Sequence, residues 1–333
     1  MELSILDLAT LAVGKTAKDV LEDSTRLAKA GEEFGYTRFW IAEHHNISAL
    51  CCPSPEVMLG YIGANTETIR LGSGATLHPY YKPYKIAETF NLLSSLFPNR
   101  IDLGVGRGPG GSPEAKLALS DNFSEQAKKF PDTVKELKDF LDNSFPHKHP
   151  YSTINAYPIP SVPPQLWILG TSLESARLAA LYGVPYAFGH FLSANKSSEI
   201  MNYYHNNLKG KESGIKPKTI FAVFVICAET NERAQELARS ALLWEVQLST
   251  GIGDKGLPSF IESNGYTFSR QEMELIRNFK NKMIIGSPTE VKKKLIDIQN
   301  TYKVDEIMIL TNTFCFEDRI KSYKLIAKEV FSV

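Results

Sequence analysis

The sequence predicts an α/β fold, a (β/α)8 TIM barrel with an insertion after strand 7, contained in one domain over residues 1–333. Three observations carry that prediction. Short apolar strand segments alternate with amphipathic helical segments along the whole chain, the pattern of a parallel sheet covered by helices. Eight such units fit within 333 residues, a length suited to a closed barrel. Several strand segments run straight into glycine or polar clusters, as loops do at the C-terminal ends of barrel strands. An open doubly wound sheet is the alternative topology for the same alternation.

The first strand is predicted over residues 3–8. Thr16, with Asp19 three residues on, has the spacing of a capping box and opens a helix that carries Val20, Leu27, Ala28 and Phe34 and stops at Gly35. RFWI at residues 38–41 is a second strand and runs into Glu43, His44, His45 and Asn46. A helix follows from Pro55, with Glu56 in its first turn, to about Asn65. IRLGSGATL at residues 69–77 is a third strand, interrupted by Gly72 and Gly74, which fits a bulge or a close approach of backbone to a ligand. Residues 84–96 place Ile86, Ala87, Phe90, Leu93 and Leu96 on one helical face.

Ile101, Leu103 and Val105 form the fourth strand, which ends in Gly106, Arg107, Gly108, Pro109, Gly110 and Gly111, a segment no regular element uses. Residues 112–164 are read as one helix over 124–141 and a long loop rich in Pro, His and Tyr. QLWILG at 165–170 is the fifth strand, followed by a helix from the Ser172 region to Gly183. The sixth strand spans 185–190, with a helix over 194–208, and the seventh spans 219–228, with a helix capped by Asn231 and running to Leu248. Residues 250–277 break the rhythm and read as the insertion. Ser287, Pro288 and Glu290 supply an N-cap, an N1 proline and an N3 acid for a helix to about Tyr302. The eighth strand spans 305–311, and a helix over 317–330 closes the chain.

Composition narrows the partners. With 37 basic and 37 acidic residues and no long block of either sign, nothing marks a surface for nucleic acid or anionic lipid, so a small-molecule substrate is expected. The apolar run at 220–228 is far shorter than the roughly 20 residues of a membrane span. The N-terminus lacks the basic and apolar regions of a signal peptide, which points to a cytoplasmic enzyme. Cys51, Cys52, Cys227 and Cys315 make neither a disulfide framework nor metal-ligand spacing.

Under the barrel assignment the polar clusters share one rim. Glycines around Arg107 bring backbone N–H groups and a fixed cation together, which suits an oxyanion such as phosphate, although strand-end glycines also serve as plain turn formers. Ser172 and Ser175 at a helix start offer two hydroxyls to the same anion. Simple capping needs only Ser172 and leaves Ser175 without a role. Two histidines behind Glu43 at a strand end suggest a functional site without saying which ring works, and a hydrogen-bonded structural role is the plainer reading of each. No metal site is expected, because adjacent loop residues rarely all ligate one ion and only His78 and His190 offer strand-end partners. There is no GxxxxGK[ST] loop, and the loose GxGxxG pattern from Gly104 fails at Pro109.

Four segments carry a resemblance: WIAEHHN at 40–46, LGSGATLHP at 71–79, KIAETFNLLSSLFPNRIDLGVGRGPG at 85–110, and IIGSPTEV with DEIMILTNTF near the C-terminus. Together they resemble the bacterial luciferase-like flavin monooxygenases, in consistent order over most of the chain and most weakly over 112–164. The resemblance implies a usually dimeric (β/α)8 barrel that binds reduced FMN supplied by a separate flavin reductase. Oxygen then forms a C4a-hydroperoxide that oxygenates a small organic, aldehyde-like substrate. It implies that Arg107 grips the FMN phosphate with Ser172 and Ser175, and that Gly106 and Thr171 count with them as cofactor-binding residues. It makes His44 the catalytic base, supported by Glu43 and His45, and puts a non-proline cis peptide at Gly74 and Ala75 against the isoalloxazine. Trp40, Tyr80, Tyr81 and Phe90 are candidates to line the ring's slot, with core packing the more natural place for Phe90. Luciferases proper have a cysteine where Gly106 stands, so light emission is not implied, and residues 250–277 are where substrate specificity would sit. Two alternatives stay open: hydride transfer with the deazaflavin F420 on the same fold, and a non-catalytic flavin-binding protein.

Overall fold

The structure, a computed structural model, describes residues 1–193, 196–209 and 217–331. In chain order the strands are β1 (Glu2–Asp7), β2 (Arg38–Ile41), β3 (Arg70–Ser73), β4 (Thr76–Leu77), β5 (Ile101–Gly106), β6 (Gln165–Gly170), β7 (Tyr186–Gly189), β8 (Thr219–Cys227), β9 (Met283–Gly286) and β10 (Glu306–Leu310). Parallel pairing runs from β1 through β2, β3, β5, β6, β7 and β8 to β10, and β10 pairs back onto β1, from Glu2 opposite Glu306 to Leu6 opposite Leu310. Eight strands therefore close into the predicted barrel. The third strand is carried past its end by β4, which pairs with β5 beyond the cis peptide bond between Gly74 and Ala75.

Alternation along the strands divides the interior in two. Leu3 and Ile5 of β1, Ile101, Leu103 and Val105 of β5, and Ile307 and Ile309 of β10 belong to the larger core, together with apolar residues of the surrounding helices. Their neighbours Leu6, Trp40, Trp167, Ala222 and Met308 belong to a second cluster inside the barrel. This is the period-two pattern that a closed sheet imposes.

The interior is layered. Near the N-terminal ends of the strands, buried Arg38 spans Glu306, with Nε to Oε1 at 2.7 Å, and Asp102, with Nη1 to Oδ2 at 2.7 Å. Trp40 Nε1 donates to the same Asp102 oxygen at 3.0 Å, and the Trp40 and Trp167 rings meet edge to face with centroids 5.3 Å apart. A Cβ at Gly72 would lie 2.4 Å from Trp40 Nε1, so this glycine makes room for an indole and not for a ligand. The choice left open by the sequence at that position is settled by core packing.

The helices are α1 (Ala17–Glu33), α2 (Pro55–Gly63), α3 (Pro83–Leu96), α4 (Pro113–Leu119), α5 (Phe123–Lys128), α6 (Phe130–Asp142), α7 (Leu173–Tyr182), α8 (Ser197–Asn207), α9 (Asn231–Ser249), α10 (Phe260–Gly265), α11 (Arg270–Lys280), α12 (Pro288–Tyr302) and α13 (Phe316–Phe331). The Thr16 and Asp19 capping box forms as predicted.

Four expectations need correction. The single helix expected over 124–141 is two, α5 and α6, and α4 precedes them unanticipated; Pro113 and Pro131 each occupy a first turn, where a missing N–H costs nothing, and so start α4 and α6 afresh. β9 was not anticipated; it pairs with the end of β8, from Phe224 opposite Met283 to Cys227 opposite Gly286. α9 is capped by Thr230, whose hydroxyl accepts from Arg233 N–H at 3.2 Å, while Asn231 turns its carboxamide oxygen to Ser287 N–H at 2.7 Å. Ser287 holds the cap position of α12 without a side-chain bond of its own. The expected start of the sixth helix at Ala194 lies outside the described residues, and residues 250–277 hold a 3-10 turn at Gly253–Lys255, α10 and the first part of α11.

Candidate active site

A cavity of about 610 Å3 opens where β2, β3, β5, β6 and β7 end. Glu43, His44, Gly74, Ala75, Gly106, Arg107, Thr171, Ser172 and Ser175 all line it. His45 does not. Three separated loops and a helix start, which the sequence could only assign to one rim, thus face one space.

Burial shapes the catalytic candidates. Glu43 is 2% exposed, and its carboxylate is engaged on every side: Oε2 accepts from Leu77 N–H at 2.8 Å, and Oε1 accepts from Tyr81 O–H at 2.6 Å and lies 2.7 Å from His45 Nε2. Burial pushes the Glu43 carboxyl above the usual range, and these bonds oppose that shift. Burial, with the nearby His45 charge as a lesser cause, lowers His44 to about 4. The imidazole is therefore neutral near pH 7. Its buried Nδ1 has no hydrogen-bond partner, an orphan of the kind that a ligand satisfies.

The anion end differs from the expectation in two details. Ser172 and Ser175 close a capping box: Ser172 Oγ accepts from Ser175 N–H and Ser175 Oγ accepts from Ser172 N–H, each at 3.3 Å. Ser175 also donates to Ser172 C=O at 2.7 Å and lies 3.1 Å from Tyr186 Oη. Capping therefore accounts for both serines, and the inference that Ser175 lacks a structural role is corrected. A serine at N3 can replace the usual glutamate because its hydroxyl reaches the cap backbone. Arg107 is also engaged, with Nη1 2.6 Å from Oε2 of Glu174, another cavity residue. Sequence reasoning missed Glu174; its place in the first turn between the two serines was the available signal.

The two lips of the site are joined. His45 N–H donates to Gly110 C=O at 2.8 Å, His45 bridges to Gly111, and Asn46 Nδ2 donates to Ser112 Oγ at 2.9 Å. Gly110 has φ +55°, and a Cβ at Gly111 would sit 2.2 Å from His45 C=O, so the backbones meet where only glycine fits.

The apolar walls were partly mispredicted. Trp40 lines the cavity. Tyr81 instead binds Glu43 and Tyr80 donates to Pro109 C=O at 2.8 Å, while Phe90 is buried in the outer core, the more natural place expected for it. Leu6, Phe130, Leu169, Leu178, Phe188, Phe191, Leu192 and Met308 supply the walls. Phe130 comes from the stretch with the weakest resemblance, and none of the others was singled out in the sequence.

A family model described as luciferase-like monooxygenase matches residues 1–303. The chain belongs to the luciferase-like monooxygenase family. Among relatives of this family member, YceB of Bacillus subtilis is 41% identical over 328 residues, covering 98% of this chain and 99% of YceB. The N-acetyl-S-alkylcysteine monooxygenase of Bacillus subtilis is 34% identical over 334 residues, covering 100% and 99%. The crystal structure of apo-MsnO8 superposes with a TM-score of 0.87 at 30% identity, covering 100% of this chain and 99% of that one.

Proposed function

We propose that this luciferase-like family member is an FMN-dependent monooxygenase. It takes reduced FMN from a separate flavin reductase in the cytoplasm and oxygenates a small organic, aldehyde-like substrate. One observation carries the reading: a cation, Arg107, and the N-terminus of α7 share a cavity with a neutral imidazole whose buried Nδ1 lacks a partner. A phosphate tail suits the first, and a polar ring edge or substrate suits the second. The family membership and the monooxygenase among its relatives support the same reaction class.

Gly74, Ala75, Gly106 and Gly170 give the cavity a wall almost free of side chains, the surface a flat ring needs for close approach. A Cβ at Gly170 would lie 2.4 Å from Ser175 Oγ and would disturb the cap that presents the helix start. Reduced FMN, when bound, would supply the two electrons with which O2 places one oxygen atom in the substrate and leaves the other as water. His44 takes or returns the proton at a ring nitrogen, and Glu43 fixes the loop that carries it. Phe130, Phe188, Phe191 and Leu192 exclude water and favour an uncharged substrate. The protein acts as a homodimer, for which Val57 and Tyr61 of α2 and Leu92 and Leu96 of α3, all at least 50% exposed, offer apolar surface.

The test is binding followed by turnover. The protein is titrated with FMN, reduced FMN and F420, and the reduced complex is mixed with labelled O2 and a panel of small aldehydes, ketones and thioethers. Label in an organic product supports monooxygenation. Tight F420 binding with hydride transfer and no label overturns it.

A further inference from the structure

The Arg107 side chain pairs with Glu174 at 2.6 Å, and the two side chains are 41% and 61% exposed. Glu174 is the second residue of α7, where the helix dipole favours a negative group. Its carboxylate therefore occupies, in sign and in place, the position that suits an incoming phosphate.

We propose that Glu174 is a built-in competitor for Arg107, weakening the grip on a phosphate tail so that the flavin binds as an exchangeable co-substrate. This rests on the FMN reading above and deepens it. An exposed ion pair adds little stability, so a phosphate dianion that also takes helix N–H groups can displace the carboxylate. The displaced carboxylate stays on the same helical turn, however, and repels the dianion there. Both effects raise the dissociation constant. A protein that receives reduced flavin from another protein and must release the oxidised form is served by such weak attachment. The competition acts on the phosphate alone, which separates it from any effect on the ring.

The experiment compares FMN with riboflavin, which lacks the phosphate, on the full-length wild type and on Glu174→Gln, measuring affinity and dissociation rate. Glutamine keeps the size and removes the charge. FMN binding tightens about 3- to 10-fold, with slower dissociation, while riboflavin binding stays within about 2-fold. An FMN-over-riboflavin preference that is unchanged in Glu174→Gln overturns the proposal, and a smaller one overturns it and makes Glu174 a positioning residue for Arg107. Absence of that preference in the wild type removes the phosphate reading itself, a separate result visible before any variant is made.

Discussion

A ring nitrogen of His45 lies 2.7 Å from the Glu43 carboxylate, and of the two only Glu43 reaches the cavity. The pair is thus a brace behind the site wall. Glu43→Gln replaces a carboxylate facing three donors with a group that has one acceptor oxygen and two N–H of its own. It costs about 2 kcal/mol in urea unfolding, and His45→Ala costs roughly 1 kcal/mol. Wild-type stability in Glu43→Gln would show that the carboxylate does not organise these loops.

His44→Ala keeps FMN affinity within about 3-fold and lowers single-turnover oxygenation by roughly 100- to 10,000-fold, the range for losing a general acid or base. Full turnover would leave the ring a structural role alone.

Arg107→Ala weakens FMN binding by about 1–3 kcal/mol and leaves riboflavin binding nearly unchanged, measured by isothermal titration. Equal losses for both ligands would move the contribution of Arg107 from the phosphate to the ring.

His78 is 1% exposed, and neither ring nitrogen makes a well-formed hydrogen bond. Burial lowers it to about 4, against a weak opposing pull from the Thr133 backbone. In the unfolded chain the ring titrates near 6.5, so between those values the unfolded state binds a proton that the folded state refuses. Stability from this group is therefore present above pH 6.5 and lost as pH falls toward 4. His78→Phe removes about 2 kcal/mol of the wild-type decline between pH 7 and pH 5, read from paired urea titrations. Parallel declines in the two proteins would mean the ring is protonated when folded.

Tyr61→Glu together with Leu92→Glu, each on the outer face of one of two helices that pack together, converts the proposed dimer to a monomer in light scattering. A dimer that survives both changes would have its interface elsewhere.

The barrel was legible because its strands read as apolar runs stopped by glycine or polar residues, as RFWI and QLWILG do. β9 escaped because MIIG is only four residues between two helices and lies where no further barrel strand was needed. Glu43, His44 and Arg107 were legible as polar groups at strand ends. The roles proposed for them were not, because that proposal depends on which side chains burial leaves without a partner. The hydroxyl of Ser175 reads the same in sequence whether it meets a ligand or its own helix cap, and Glu174 looked like any acid in a first turn.

The glycines at 110 and 111 let the loop bearing the guanidinium and the loop bearing the imidazole share a single backbone seam. The spacing between Arg107 and His44, the two ends of the proposed flavin site, is therefore a property of the seam and of neither loop alone.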